Sequence, residues 1–259
     1  LILNKFSLKN NMKLNLKNKI ALVTGSTKGI GLSIAKNLED EGCIVIYNGR
    51  RKFPKKSNYL KADVTKINDC KKLISDIKKR YGKLDILVCN VGSGKSVPTG
   101  KETIRDWEKM FSLNFYSSIN LIKFAENELK KTKGSIICIS SIAGVETTNA
   151  PITYSVAKSA LNSYVKNTSK RLSKYNIRIN AVAPGNIIFN GSTWETKMRN
   201  NPSKVKKMLK DNVSMNRFGT TNEISNLVTF LSSEMASFIT GSIYVVDGGQ
   251  TRSWMILRK

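Results

Sequence analysis

The sequence contains no histidine among its 259 residues. This absence excludes Ser-His-Asp and Cys-His catalysis, and it excludes metal sites that depend on imidazole ligands. Proton transfer near neutral pH would therefore require tyrosine, lysine, cysteine or a carboxyl group with a shifted pKa. No metal site is expected in this chain.

Cysteine is also scarce, and its four copies form no Cys-x-x-Cys pair: Cys43, Cys70, Cys89 and Cys138. Three of them stand in apolar runs that are typical of buried strands. They are expected to be reduced core residues rather than disulfides or zinc ligands. Cytoplasm is the compartment that this use of cysteine indicates.

Long apolar runs are missing as well. No run approaches the roughly 18 residues that a bilayer-spanning helix needs, so no membrane association is expected. Residues 1–11 lack the cleavage site of a signal peptide, and Met12 could be the native start. Residues 1–17 are expected to form a disordered extension and residues 251–259 a short tail.

Acidic residues are few, since 18 aspartates and glutamates stand against 44 lysines and arginines, with a formal net charge of +26. Such a charge is compatible with a nucleic-acid partner. However, the basic clusters are not interleaved with the aromatic residues of single-strand binding surfaces. These clusters lie at 52–56, 71–80, 130–133 and 204–210. A solvated basic surface is therefore favoured, and a nucleic-acid partner is the less favoured alternative.

Apolar runs alternate regularly with amphipathic stretches. Buried strands are predicted at 19–24, 43–48, 59–62, 85–90, 135–140, 178–183 and 242–247. Helices are predicted over about 30–38, 67–81, 106–130, 152–173 and, after a capping box that starts at Thr220, through Leu231. This pattern predicts an α/β fold over 18–250, a single doubly wound (Rossmann) parallel sheet with helices on both faces. The weakly periodic segment 186–216 is long for a connection, which suggests a lid.

Three glycines follow the first predicted strand, in the stretch VTGSTKGIG. Gly25 would permit the tight turn, Gly29 the close approach of a pyrophosphate, and Gly31 the packing of the next helix against the sheet. The N-terminus of that helix would offer free N–H groups and a positive dipole end to the phosphates. This context predicts a dinucleotide site, against the alternative of a turn without a ligand.

The second predicted strand ends in IYNGRRK, without the carboxylate that usually binds the ribose 2′-hydroxyl of NAD. Arg50 and Arg51 stand there instead, and guanidinium groups suit the 2′-phosphate of NADP. Lys28 in the glycine turn adds a further positive charge. The sequence therefore favours NADP(H) over NAD(H); the alternative is that these arginines only reflect a basic composition.

Tyr154 and Lys158 stand four residues apart, hence on one face of a predicted helix. In a lysine-rich chain with eight tyrosines, chance alone gives about one such pair, so the spacing by itself decides nothing. Its place decides more, because Ser141 lies thirteen residues upstream, directly after an apolar strand. A phenol beside an ammonium group is a candidate proton carrier in a chain without imidazole.

Together these motifs resemble the short-chain dehydrogenase/reductase family over about residues 18–250, with a pattern most similar to its 3-oxoacyl-ACP reductase-like members. The resemblance places an NAD(P) cofactor beside the glycine turn and the later strand ends. The residues concerned are Gly25, Thr27, Lys28, Gly29, Ile30, Gly31, Arg50, Arg51, Asp63, Val64, Asn90, Val91, Gly92, Tyr154, Lys158, Pro184, Gly185 and Ile187.

The same resemblance implies a catalytic set of Asn114, Ser141, Tyr154 and Lys158. Tyr154 would exchange a proton with the substrate oxygen, and Ser141 would hydrogen-bond that oxygen. Lys158 would lower the pKa of the phenol and hold the nicotinamide ribose. Asn114 would hold a water that connects Lys158 to solvent. The family relation also implies a homo-oligomer, a tetramer.

Several residues depart from the family pattern. Cys89 and Val91 replace an asparagine and an alanine around Asn90, and Phe189 stands where a threonine often follows the Pro-Gly turn. The stretch 51–63 is too short for the usual helix and contains Pro54. A basic loop with Lys52, Lys55 and Lys56 is expected there.

The implied substrate is a carbonyl compound, either a small molecule or a group bound to an acyl carrier. Trp194 and Met198 of the predicted lid are candidate substrate contacts, although Trp194 could equally anchor the loop. A basic surface could dock an acidic carrier, with candidates Lys130, Lys131, Lys133 and Arg171. Two alternatives to an oxidoreductase remain open, a non-catalytic NADP-binding regulator and a nucleic-acid-associated protein.

Overall fold

The structure is a computed structural model that describes residues 13–51 and 58–251. Its centre is a sheet of seven strands, all paired in parallel. The strands are β1 Ile20–Val23, β2 Ile44–Gly49, β3 Tyr59–Lys61, β4 Ile86–Cys89, β5 Ser135–Ile139, β6 Arg178–Pro184 and β7 Ile243–Val246. Each lies within or beside a predicted strand.

The strand order across the sheet is β3-β2-β1-β4-β5-β6-β7. The chain proceeds outward from β1 to β3 and then returns to the other side of β1 with β4. This reversal makes the β1–β4 boundary the switch point of a doubly wound sheet, where ligands bind beyond the carboxyl ends of the strands. The predicted α/β class is confirmed.

Helices cover both faces of the sheet. They are α1 Gly29–Asp40, α2 Ile67–Tyr81, α3 Ile104–Phe111, α4 Ser117–Thr132, α5 Ile152–Ser173, α6 Thr193–Asn200, α7 Pro202–Asn212 and α8 Thr221–Ser232. Helices α1 and α8 share a core with one set of strand side chains, and α2, α4 and α5 share a core with the alternate set. Because both faces are covered, every residue of β1, β4 and β5 is buried.

The single helix predicted over 106–130 is wrong in one respect. A π-helical turn over Ser112–Tyr116 separates α3 from α4. Asn114 stands inside this turn, and its amide donates hydrogen bonds to the carbonyl oxygens of Met110 and Ser93. The π-helical turn directs the polar side chain of Asn114 into the interior. The hydrophobic periodicity of the sequence does not indicate this. Such turns often occur at functional sites.

The segment 186–216 folds as α6 and α7, which the sequence pattern did not indicate. It has its own small core of Val205, Leu209, Val213 and Phe218. Met198 packs against this core, and Trp194 stacks on Phe218 with ring centroids 5.3 Å apart. The segment is therefore a folded and packed part of the domain. Its role as a lid stays a prediction.

The predicted Met12 start, the loop with Lys52, Lys55 and Lys56, and all but residue 251 of the predicted tail lie outside the described residues. Leu16 is packed in the core and accepts a hydrogen bond from the Cys43 thiol, so the folded domain begins before residue 18. All four cysteines are buried free thiols. Among residues 13–51 and 58–251, no helix has the length and apolarity that crossing a bilayer requires.

Candidate active site

The glycine turn links β1 to α1 at the switch point of the sheet. Gly25 and Gly29 have φ angles of +62° and +57°, a region that favours glycine. A β-carbon on Gly31 would stand 2.4 Å from the Asn90 side-chain nitrogen and 2.5 Å from the Gly25 carbonyl oxygen. The turn therefore needs glycine at all three positions, as the sequence predicts.

Asn90 clamps the glycine turn to the end of β4. Its side-chain amide donates to the carbonyl oxygen of Thr24 at 2.9 Å, and its backbone N–H donates to the Thr24 hydroxyl at 3.0 Å. The Thr24 hydroxyl in turn donates to the Val88 carbonyl oxygen at 3.2 Å. These bonds fix the turn in front of the crevice before any ligand binds.

Ser141 and Tyr154 meet at the carboxyl end of β5, and a hydrogen bond joins their side chains. Gly144 makes the approach possible, because a β-carbon there would stand 2.6 Å from the Lys158 carbonyl carbon. Sequence reasoning missed Gly144. Its signal is a glycine in the short turn directly after Ser141, where a loop must touch the backbone of the next helix.

Lys158 lies one turn beyond Tyr154 and is buried, with 3 % of its surface exposed. Its ammonium group donates to the carbonyl oxygen of Ile139 at 2.7 Å. Burial lowers the pKa of Lys158 from 10.5 to about 8, partly offset by the thiols of Cys138 and Cys89. The group can therefore change its charge near neutral pH.

Asn114 and Lys158 converge on Gly92. A β-carbon built on Gly92 would stand 2.8 Å from the Asn114 side-chain oxygen and 3.2 Å from the Lys158 nitrogen. The Asn114 oxygen also accepts a hydrogen bond from the Ser93 N–H at 2.9 Å. The four predicted catalytic residues thus gather around one point, at the ends of β4 and β5.

The pKa of Tyr154 departs from the sequence-based expectation, in which Lys158 lowers it. Burial raises the pKa of the phenol, and the hydrogen bond from Ser141 opposes that rise. The Lys158 nitrogen lies 5.9 Å from the centroid of the Tyr154 ring. The removal of the phenol from water outweighs a cation at that distance, because burial disfavours the phenolate.

A cleft of about 1040 Å³ joins the glycine turn to the catalytic group. From the predicted cofactor set it is lined by Gly25, Lys28, Ile30, Gly31, Asn90, Gly92, Tyr154, Lys158, Pro184, Gly185 and Ile187. Ser141, Trp194 and Phe189 line it as well. Asn114 borders the cleft through its contact with Ser93.

The other residues of the predicted cofactor set do not line this cleft. They are Thr27, Gly29, Arg50, Arg51, Asp63, Val64 and Val91. Arg50 and Arg51 are exposed at the carboxyl end of β2, and the backbone oxygen of Arg51 accepts a hydrogen bond from Tyr59. Asp63 accepts hydrogen bonds from Thr65, and the Val64 side chain is buried in the core. Arg50, Arg51, Asp63 and Val64 follow β2 and β3, whereas Thr27 and Gly29 belong to the glycine turn and Val91 follows β4.

The site fits an NAD(P) dinucleotide. The glycine turn brings main chain to the crevice at its three glycines, with the Phe189 ring against Gly29, and α1 begins there with amides that lack intrahelical partners. The described part of the chain brings no three His, Cys, Asp or Glu side chains together in a metal-binding group.

The basic residues predicted to dock a carrier lie at the wrong edge of the sheet. Helix α4 and helix α5 both end at the amino-terminal edge, opposite the cleft. Glu126 forms ion pairs with Lys130 and Arg171, at 2.9 Å and 2.8 Å. Lys131 pairs with Glu128, and Lys133 lines a separate cavity at that edge. The docking assignment is therefore wrong, because helices antiparallel to the strands carry their C-termini away from the cleft.

Comparison with known proteins identifies relatives that match nearly the whole chain. A family profile described as enoyl-(acyl carrier protein) reductase matches residues 25–251. The chain is 31% identical to 3-oxoacyl-[acyl-carrier-protein] reductase of Aquifex aeolicus, covering 92% of this chain and 99% of that protein. It is 36% identical to 7alpha-hydroxysteroid dehydrogenase of Paraclostridium sordellii, covering 90% and 92%.

A solved structure, Thermoplasma acidophilum aldohexose dehydrogenase in ligand-free form, superposes with a TM-score of 0.83 at 29% identity, covering 92% of this chain and 95% of that one. Fold and site define an NAD(P)-dependent oxidoreductase that acts on CH–OH and C=O groups. The chain belongs to the short-chain dehydrogenase/reductase family.

Proposed function

We propose that this protein is an NADP(H)-dependent enzyme that interconverts a ketone and a secondary alcohol. The observation that carries the proposal is the gathering of Ser141, Tyr154 and Lys158 in the cleft that also holds the glycine turn, with Asn114 at its border. When bound, the nicotinamide supplies or accepts the hydride. The chain's own residues supply position and proton transfer.

Tyr154 and Ser141 serve the substrate oxygen. The phenol of Tyr154 stays protonated at neutral pH because burial raises its pKa, so it is ready to donate a proton to a carbonyl oxygen. Ser141, already hydrogen-bonded to the phenol, donates to the same oxygen and orients it. In the alcohol direction the phenol first loses its proton through Lys158, and the phenolate then accepts the proton of the alcohol.

Lys158 and Asn114 replenish that proton. With a pKa of about 8, Lys158 can release or accept a proton near neutral pH and can hold the ribose hydroxyls. Asn114, which shares the space beside Gly92 with Lys158, connects it through water to solvent.

Arg50 and Arg51 are assigned to the 2′-phosphate of NADP. They follow β2 on the side of Thr27, whose methyl carbon would stand 2.9 Å from a β-carbon on Gly49. Both arginines are exposed. Within residues 13–51 and 58–251 neither is in an ion pair with a carboxylate, so binding a phosphate breaks no such pair there. Guanidinium groups bind phosphate in bidentate fashion.

Arg50→Ala is expected to raise the Kd of NADPH about tenfold to a hundredfold, the value of a lost charge-assisted hydrogen bond. The Kd of NADH should stay within about twofold, because it has no 2′-phosphate. Both values are measured by titration of nicotinamide fluorescence. Arg105→Ala, an exposed arginine on α3, is the matched control. An equal loss of affinity for both nucleotides would contradict the assignment.

The substrate end of the cleft combines polar side chains with apolar ones such as Ile142, Trp194 and Met208. Its lining includes Ser96, Thr147, Thr148, Asn149 and Asn212. This composition favours a substrate with hydroxyl or amide groups, such as a 3-oxoacyl thioester on a pantetheine arm or a sugar, over a purely apolar one. Lys28, Lys95 and Lys197 also line the cleft, and they replace the residues at the far edge as candidates for contact with an acyl carrier.

The test is a screen of 3-oxoacyl thioesters, aldoses and hydroxysteroids, run in both directions with NADPH and NADH and followed by cofactor absorbance. Turnover of a polar carbonyl compound with NADPH is the expected result. Dinucleotide binding without turnover of any compound would favour the non-catalytic regulator. A DNA affinity that falls steeply with salt, without dinucleotide binding, would favour the nucleic-acid-associated protein.

The proposal includes a homotetramer in the cytoplasm. The assembly into a homotetramer is supported by apolar side chains that are exposed on the single chain. Ile152 and Val156 on α5 are each 40% exposed, and Phe238, close before the edge strand β7, is fully exposed. Exposed apolar side chains such as these are compatible with contacts to further copies of the chain, which the family relation implies.

A further inference from the structure

The ring of Phe189 lies directly against the glycine turn. A β-carbon built on Gly29 would stand 2.6 Å from the Cε2 atom of Phe189, 2.7 Å from Cζ and 3.0 Å from Cδ2. Phe189 also lines the cleft. Its ring therefore covers the face of Gly29 that looks toward the crevice.

That face is the one a pyrophosphate needs. Gly29 is the first residue of α1, whose N-terminal amides have no partners within the helix. Phosphate oxygens accept hydrogen bonds from such amides, whereas a phenyl edge offers no comparable acceptor. The ring and the pyrophosphate cannot both lie against the turn.

A short turn after β6 holds the ring, which also packs against the core that α1 and α8 share with the sheet. The Phe189 N–H donates to the Ser192 hydroxyl at 3.3 Å, and the Ser192 N–H donates to the Phe189 carbonyl oxygen at 2.9 Å. Gly191, within this turn, has a φ of +78°. Ile187 is buried in the main core and bridged to Gly219. Helix α6 begins directly after the turn, so the ring can move with the chain from Phe189 onward while Ile187 stays in place.

We propose that Phe189 is a gate on the dinucleotide site, which rests on the function proposed above. With its ring against Gly29 the site is closed, and displacement of the ring exposes the turn and shifts the chain from Phe189 onward. The dinucleotide then binds only the open fraction of molecules, and the apparent Kd equals the intrinsic Kd divided by that fraction. The aromatic residue would thus set cofactor affinity at a position where the family often has a threonine.

The test is the Kd of NADPH and of NADH for Phe189→Ala, measured by nicotinamide fluorescence. An open fraction of about 10 to 20 per cent predicts a Kd about fivefold to tenfold lower than that of the natural protein. Both nucleotides should respond alike because they share the pyrophosphate. Phe189→Leu, which keeps an apolar side chain on the segment, should shift in the same direction by a smaller factor.

Ile188→Ala is the matched control, because Ile188 packs into the core of the segment 186–216 and not onto the glycine turn. It should leave the Kd within about twofold. An unchanged or higher Kd for Phe189→Ala overturns the gate, and so does an equal gain of affinity for Ile188→Ala, which would mean that loosening the segment suffices.

A second measurement needs no nucleotide. Gly29→Ala places a methyl group where the ring lies, so it should lower the melting temperature more in the natural protein than in Phe189→Ala. Equal losses would overturn the contact and the gate with it. A natural protein that binds neither nucleotide would instead refute the proposed function, while the melting comparison still reports on the ring.

Discussion

Tyr154→Phe is expected to lower kcat about a thousandfold, within the range that positioned acid–base groups contribute. The substitution removes the hydroxyl that donates the proton and that accepts the hydrogen bond from Ser141, and it keeps the ring. Since the ring still fills its place beside the cleft, the Kd of NADPH should stay within about twofold. The measurement combines steady-state rates on the best substrate of the screen with a fluorescence titration of the nucleotide.

Tyr164→Phe is the control for this prediction. Tyr164 lies on the same helix, and its ring packs edge-on against Phe115 with centroids 6.3 Å apart, away from the cleft lining. Its loss of a hydroxyl should change kcat less than about threefold. A Tyr154→Phe enzyme with normal kcat would refute the proton-transfer role and would favour a regulator that only binds the dinucleotide.

Lys158→Met is expected to abolish most activity and yet to stabilise the fold at pH 7. The pKa of Lys158 is about 8 in the fold against 10.5 as the ordinary value. Below pH 8 the lysine is charged in both states, so the full cost of burying the ammonium is present. At about 1.4 kcal/mol per pH unit, the interval between these two pKa values corresponds to a loss of folding stability of at most about 3 kcal/mol.

The sign of this stability change can be checked by varying the pH. Between about pH 8 and 10.5 the unfolded chain binds more protons at this lysine than the folded chain, so the contribution of Lys158 to stability rises with pH. The advantage of Lys158→Met in urea unfolding should therefore be largest at pH 7 and shrink at pH 10. Lys166→Met, an exposed lysine on the same helix, should stay within about 0.5 kcal/mol of the natural protein. A destabilised Lys158→Met would show that the bond to Ile139 outweighs the cost of burial.

A loss of activity together with a gain of stability is what we expect when a buried, charged catalytic group is removed. A buried amine that titrates near neutral pH is costly to the fold and useful to proton transfer. Loss of stability together with loss of activity would instead indicate a lysine that serves mainly as a structural hydrogen-bond donor.

The sequence determined the class of fold because its signals are local. Continuous apolar runs separated by amphipathic stretches are enough for a parallel sheet covered on both faces. The signal of the glycine turn is equally local, since the positive φ angles of Gly25 and Gly29 are a preference of glycine itself. The shared face of Tyr154 and Lys158 follows from helical periodicity alone. Their placement at the carboxyl ends of the strands follows from the parallel order.

Tertiary structure alone decided the rest, because those features depend on distances between residues remote in sequence. The π-helical turn at Asn114 is stabilised by Ser93, twenty-one residues away, so no pattern within the helix shows it. The direction of the Tyr154 pKa depends on burial, which composition does not reveal. The basic ends of α4 and α5 are separated from the cleft by the whole length of the sheet. The ring of Phe189 meets Gly29 only because β6 and β1 end at the same edge.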